Sequence, residues 1–501
     1  MENYSRIHRP RQACGPGRNP LSCPRLRPYF ARRDRMTAAP TPTPSAPPSA
    51  PAKFPSIFWT ANTVELFERA AYYAMASFMV IYLKETLGMS PSTATFLNGT
   101  LLWGIIYFLP ILSGALADKF GFKKTLSIAF VMIALGYVVV GNLQAFWPGL
   151  AGAEAGQPVD YIVPAIFGIC LIGMGGSVVK PCIAGTVQKT AGTRATLAFG
   201  IFYMVINIGS ISGRTVSYFV RTELGIPAIF QYPSTIFALL GLLLVLFLYR
   251  EPAYAGDGIK NAPKAPKRTL GQALLGMFTV LANLKFLFFI IVVSLFWFLY
   301  IQLYNLMPLY LRYVDPNAPV ELYTMANPVM IVAFQLLITK MVKRWTPVKS
   351  IMLGAVVVTL GMLTNVIPAL LSADPARKIG FLGLGLPVAG VFMLVSIASM
   401  AVGEMMASPR IYEYIGAIAP KGQEGLYLGY QSLPIALASM VGGPIGGNLF
   451  ERYVSEPQAA GRPVETLPMW LIIVGIGLAS IVGLAIFNAW VKREARGQEG
   501  R

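Results

Sequence analysis

Apolar runs of bilayer length recur along this chain, broken by short polar stretches. They fall near residues 57–83, 94–117, 123–142, 161–184, 195–220 and 228–249, and again near 283–308, 321–342, 348–371, 379–408, 425–450 and 467–491. Each run is continuous rather than alternating, and a helix needs about 20 such residues to cross a membrane. A transmembrane β-barrel would show short alternating segments instead. The pattern predicts an all-α membrane protein with about twelve transmembrane helices.

Composition agrees. Of 501 residues, 55% are hydrophobic and 13% are charged; a soluble fold carries about twice that share of charge. The polar stretch 251–282 separates six spans from six. The expected organisation is an Arg/Pro-rich then Ala/Pro-rich tail (1–55), an amino-terminal six-helix bundle (56–250), a cytoplasmic linker (251–282), a carboxy-terminal bundle (283–492) and a short tail (493–501). Residues 1–35 lack the apolar core of a secretory signal, so two readings stand: Met36 as the true start, or a targeting arm.

A formal net charge of +19 would suit nucleic acid, but its placement excludes that reading. Nine arginines crowd the first 35 residues, and most remaining basic residues lie in alternate loops. Lys119, Lys123, Lys124, Lys189, Arg194, Arg250, Lys343, Arg344, Lys349, Lys492 and Arg493 share one side. The excess of Lys and Arg on cytoplasmic loops puts both termini in the cytoplasm of a multi-pass cell-membrane protein. The four cysteines have no zinc or CxxC spacing, so no metal site is expected. The single histidine, His8, is in the tail, so any proton chemistry in the membrane falls to carboxylates.

Charges inside the spans are the informative exceptions. Each costs about 2.5–3.5 kcal/mol at a helix centre and needs a partner or a wet cavity. In VELFERAAYY (64–73), Glu65 and Arg69 are four residues apart and share a helix face, with Glu68 beside Arg69 and Tyr72 a turn further. In GMGGSVVKPCIAG (173–185), Lys180 precedes Pro181, which should kink the helix. Lys180 either snorkels to the cytoplasmic edge near 184 or faces a cavity. In AVGEMMASPRIYEY (401–414), Glu404 lies deep, Ser408-Pro409 should break the helix, and Arg410 and Glu413 belong nearer the cytoplasm as gate or interface charges. Arg214 is a further cation in the fifth span whose direction, outward or into the cavity, is open. A zwitterion fits this set: Arg69 and Lys180 at its carboxylate, Glu404 at its ammonium, and Tyr72, Tyr73, Tyr107 and Asn207 around it.

Two six-helix halves are the layout of the major facilitator superfamily. GALADKFGFKK (114–124) resembles its loop signature, with Asp118, Lys119 and Lys123 forming a cytoplasmic latch. Six further stretches, in chain order, resemble the proton-dependent oligopeptide transporters: ELFERAAYY, IIYFLPILSGALAD, GMGGSVVKP, FGIFYMVINIGS, ANPVMIVAF and GEMMASP. The resemblance implies import of di- and tripeptides driven by protons, with no cofactor beyond the coupling ion. It implies that Arg69 and Lys180 bind the peptide carboxy terminus and that Glu404, Asn207 and Asn327 bind its amino terminus. Tyr72, Tyr73 and Tyr107 would line the pocket, and Glu65, Glu68 and Glu404 would carry protons. It also implies a small-molecule substrate, no nucleic acid and a functional monomer.

Two residues depart from the family pattern. Ala70 replaces a Phe, and in FWFLYIQLYN Ile301 stands where the seventh span usually carries a Glu. The second reading is therefore a transporter of another amphoteric or peptide-like compound. An enzyme is not expected, because no nucleophile-and-base pair or metal cluster is evident. The orientation has a direct test: a fluorescent protein fused after Arg501 should fluoresce in cells, and alkaline phosphatase fused there should be inactive. The opposite pair of results would invert the topology.

Overall fold

The computed structural model describes residues 53–111, 117, 120–150, 161–251, 276, 280–371, 373–381, 384–418 and 430–499. The protein is a multi-pass membrane protein built of helices. Ten of the described helices are long and apolar enough to span a bilayer. The charged helix α1 (Ser56–Ala76) precedes them. So does α2, which runs through Pro91–Thr95, Phe96–Trp103 and Gly104–Phe108. The others are α3 (Phe122–Gly141), α4 (Ile162–Ala191), α5 (Ala195–Leu224), α6 (Pro227–Phe247), α7 (Leu284–Val314), α8 (Val320–Val342), α9 (Pro347–Leu370), α10 (Val388–Ile418), α11 (Leu433–Phe450) and α12 (Thr466–Glu499).

Local chemistry sets the helix starts. Ser90 caps α2 ahead of Pro91, Thr346 caps α9 ahead of Pro347, and the Asn283 side chain accepts from Lys285 and Phe286 at the start of α7. At α3 the cap comes from far away. The Glu251 carboxylate accepts from the backbone N–H groups of Phe122 (3.3 Å) and Lys123 (2.8 Å). Gly121, at φ +85°, makes the turn that presents them. Asp118, Lys119 and Gly114 of the expected latch lie outside the described residues.

Three expectations are corrected. Residues 378–387 form a two-stranded antiparallel hairpin, Lys378–Phe381 with Leu384–Pro387, rather than the start of a span. Helix α10 does not break at Pro409 but continues to Ile418. A mid-helix proline removes one hydrogen bond, and the packing of α10 along α8 and α9 holds the remaining turns together. Helix α4 likewise runs through Pro181 and ends at Ala191, not near 184.

Two close approaches between helices position everything else. Helix α5 lies on the charged stretch of α1 because Gly209 and Gly213 face its backbone. A Cβ on Gly209 would sit 2.7 Å from the Leu66 carbonyl and 2.9 Å from the Arg69 Cβ. Helix α2 meets α11 at Gly99 and Gly443, where a Cβ on Gly99 would fall 2.6 Å from the Gly443 Cα.

Helices α1–α6 and α7–α12 also meet along α5 and α8. The polar links between the two sets gather at one end, where α1, α5, α7 and α11 finish and α2 and α8 begin. Arg221 pairs with Glu321 at 2.8 Å, Arg312 with Glu85 at 2.6 Å, and Ser77 bonds Thr324 at 2.7 Å. Replacing Gly99 with Val should force α2 from α11 and cost about 1–3 kcal/mol. Thermal unfolding in detergent measures this, and an unchanged midpoint would show that the contact is slack.

Candidate functional site

The α1 charges are buried together. Arg69 donates to Glu68, and its Nε lies 3.6 Å from a Glu65 carboxylate oxygen. The expected pairing of Arg69 with Glu65, one turn back, is present as this ion pair, without a hydrogen bond. The Arg69 hydrogen bond goes instead to its neighbour Glu68, and the Glu65 oxygens accept no hydrogen bond among the described residues. Glu65 is fully buried at 0% exposure. The guanidinium of Arg69 also lies over Tyr72 (5.2 Å) and Tyr73 (5.9 Å), so the cation is held by two carboxylates and two ring faces.

Lys180 lies eleven residues before the end of α4, about 16 Å of helix. It is exposed, yet its charge interacts with Arg69, Glu65 and Glu68 of α1 and with Glu404 of α10. Lys180 is thus within electrostatic range of charges in both sets of helices.

On the other side of that space, Asn327 of α8 donates to Glu404 at 3.2 Å, and Tyr300 of α7 adds a second hydrogen bond. Glu404 is half-buried. Pro328 within α8 and the glycines of α10 leave the helices continuous, so these groups project from rigid elements.

An aromatic wall joins the two sides. Trp103 packs on Tyr72 (6.2 Å), Tyr107 (5.4 Å) and Tyr304 (4.9 Å), and Tyr304 meets Tyr300 at 6.3 Å. A break in α7 aims Tyr304 inward. Gln302–Tyr304 form a tight turn, which Asn98 of α2 staples by donating to the Tyr304 carbonyl (3.0 Å) and the Asn305 side chain (3.1 Å).

The structure therefore brings Glu65, Glu68, Arg69, Tyr72, Tyr73, Tyr107, Lys180, Asn327 and Glu404 around one space. Asn207 is buried on α5, but its amide donates to the Tyr203 carbonyl of its own helix at 2.9 Å rather than to Asn327 or Glu404. Lys123 is tied to the Glu251 cap, remote from these groups. Arg410 pairs with Glu413 at 2.5 Å and donates to the Val342 carbonyl at the end of α8, joining two helices of the same set. Sequence reasoning missed Trp103, Tyr300 and Tyr304. A signal was present: Trp297, Tyr300 and Tyr304 recur at helical spacing on one face.

Ile301 is fully buried and apolar, so α7 contributes no carboxylate at that position. Arg214, left open by the sequence, is fully buried at 0% exposure and donates to Thr324 (3.1 Å) and Tyr304 (2.9 Å).

Comparison with known proteins agrees with this layout. The family model described as Major Facilitator Superfamily matches residues 64–390. The uncharacterized MFS-type transporter YqjV of Bacillus subtilis is 25% identical, over 89% of this chain and 97% of its own. Dipeptide and tripeptide permease B of Aeromonas hydrophila is 23% identical, over 89% of this chain and 96% of its own. A solved POT family transporter in complex with 5-aminolevulinic acid shares the fold, with a TM-score of 0.65 and 17% identity over 88% of this chain and 96% of that one.

If Arg69 holds two buried acids, Arg69→Gln should destabilise the protein by about 3–5 kcal/mol, the cost of breaking a buried pair from one side. Adding Glu68→Gln should restore much of that loss in a denaturation series. Additive losses would mean that the pair is not coupled.

Proposed function

The chain belongs to the Major Facilitator Superfamily, and on that premise we propose that it is a proton-coupled importer of di- and tripeptides working by alternating access. The observation that carries this reading is the shared chamber. Arg69 and Lys180 present two cations from α1 and α4, and Glu404 presents a carboxylate from α10, on either side of an aromatic-lined gap. A peptide is a zwitterion whose end charges never vary and whose side chains do. Fixed charges at the two ends and ring faces along the sides suit that chemistry.

In this reading Arg69 and Lys180 grip the peptide carboxylate, Arg69 with its planar fork and Lys180 as a point charge. Glu404, steadied by Asn327 and Tyr300, receives the ammonium. Tyr72, Tyr73 and Tyr107 line the walls, and Asn207 supports the wall from α5. Glu65 can change protonation without breaking a hydrogen bond, since its carboxylate makes none among the described residues. A proton arriving there or at Glu68 loosens the grip on Arg69, which then turns to the substrate.

With both termini in the cytoplasm, the end sealed by Arg221–Glu321, Arg312–Glu85 and the α2–α11 contact faces outside. The described state is then the one that releases substrate inward. Rocking of the two bundles breaks those links and opens the outer side. Asp118, Lys119 and Lys123 would form the opposing cytoplasmic latch.

Ile301 favours a second reading, transport of another amphoteric compound, because a coupling carboxylate on α7 is missing. Competition separates the two: dialanine should block uptake where a panel of simple organic anions does not. In proteoliposomes, an inward proton gradient should drive accumulation of labelled dialanine, and a protonophore should abolish it. Lys180→Ala should reduce driven uptake to background. Wild-type rates in that variant would contradict the assignment of Lys180.

A further inference from the structure

Arg214 has no place in the mechanism above, yet it is the most enclosed cation among the described residues. Its described hydrogen bonds all end on neutral oxygens: Thr324 Oγ1 (3.1 Å), Tyr304 Oη (2.9 Å), and the Ser210 carbonyl (3.4 Å) and hydroxyl. The contrast lies two turns along the same face of α5, where Arg221 meets the Glu321 carboxylate. A buried guanidinium with only neutral partners has its donors satisfied and its charge uncompensated.

The origin of those partners matters. Ser210 is on α5 with Arg214, whereas Tyr304 and Thr324 belong to α7 and α8 in the other bundle. Thr324 also bonds Ser77 of α1. Any separation of the bundles at this end strips Arg214 of Tyr304 and Thr324 and leaves its fork facing the opening. The Tyr73 ring is near two cations, with Arg214 4.6 Å from its centroid and Arg69 5.9 Å.

We infer that Arg214 is a specificity-determining residue of the outer gate. It receives the carboxylate of an incoming solute when α5 and α8 part, and it passes that carboxylate across Tyr73 to Arg69 as Tyr304 and Thr324 return. A carboxylate offers the bidentate acceptor that the neutral oxygens only approximate. The selected class is solutes with a free carboxylate, and a carboxamide in its place is rejected. This rests on the transport reading above, with bundles that separate at this end.

The first test is uptake in proteoliposomes from the outside. Arg214→Met should raise the KM for dialanine by about tenfold or more, the worth of one charge-assisted hydrogen bond. It should leave the already poor uptake of alanyl-alaninamide unchanged. Arg214→Lys should retain a clear preference for the acid, which guards against a folding defect. Dialanine binding to the detergent-solubilised inward-open form should be the same in wild type and Arg214→Met. An unchanged external KM, or equal losses for acid and amide, would overturn the role.

A second readout does not depend on what is transported. With the four native cysteines replaced by serine and Ser77→Cys introduced, an impermeant maleimide reports opening of the outer gate. Acetate should raise labelling about twofold when Arg214 is present, by favouring the open state, and should have no effect in Arg214→Met. Absence of an acetate effect with Arg214 present would overturn the proposal even if the protein carries no peptide.

Discussion

The arrangement depends on one constraint: charge inside a bilayer must meet opposite charge, a hydrogen bond or water. Arg69 shows how the chain meets it. The guanidinium is bound by Glu68, neighboured by Glu65 and faced by two tyrosine rings. Helix α5 closes over this group because Gly209 and Gly213 let its backbone reach that of α1. A side chain at Gly209 would press on the Leu66 carbonyl and the Arg69 Cβ, and the ion cluster would lose its lid. The position of Asn207 and Arg214 on α5 follows from the same contact.

The same constraint orders the rest. Lys180 is exposed in mid-helix, which only a wet interior makes affordable, and Glu404 is held by Asn327 and Tyr300 on the opposite wall. The polar links that cross between bundles sit at one end, beside the Gly99–Gly443 contact of α2 with α11. In the proposed mechanism the chamber is a gap between the two bundles. Motion of those bundles changes which side reaches it.

Much of this was legible in the sequence, for a physical reason. Insertion cost makes every intramembrane charge conspicuous, so Glu65, Glu68, Arg69, Lys180 and Glu404 announce themselves against an apolar background. Neutral groups carry no such mark. Trp103, Tyr300 and Tyr304 read as ordinary apolar positions, and only the break in α7, stapled by Asn98 from another helix, aims Tyr304 inward. Proline misled in the other direction. Pro409 suggested a break, and packing carries the helix through it. The hairpin at 378–387 hides within a segment apolar enough to pass for the start of a span. The cap of α3 by Glu251 spans too many residues for any local motif to announce.

The central claim is that Lys180 and Glu404 hold opposite ends of one short zwitterion. Calorimetric binding of dialanine, alanyl-alaninamide and N-acetyl-dialanine to wild type, Lys180→Ala and Glu404→Gln tests it as a pair of thermodynamic cycles. Removing the ligand carboxylate should cost about 1.5–3 kcal/mol in wild type and almost nothing in Lys180→Ala, and blocking its ammonium should behave likewise with Glu404→Gln. Additive losses in both cycles would mean that neither residue touches the ligand end assigned to it.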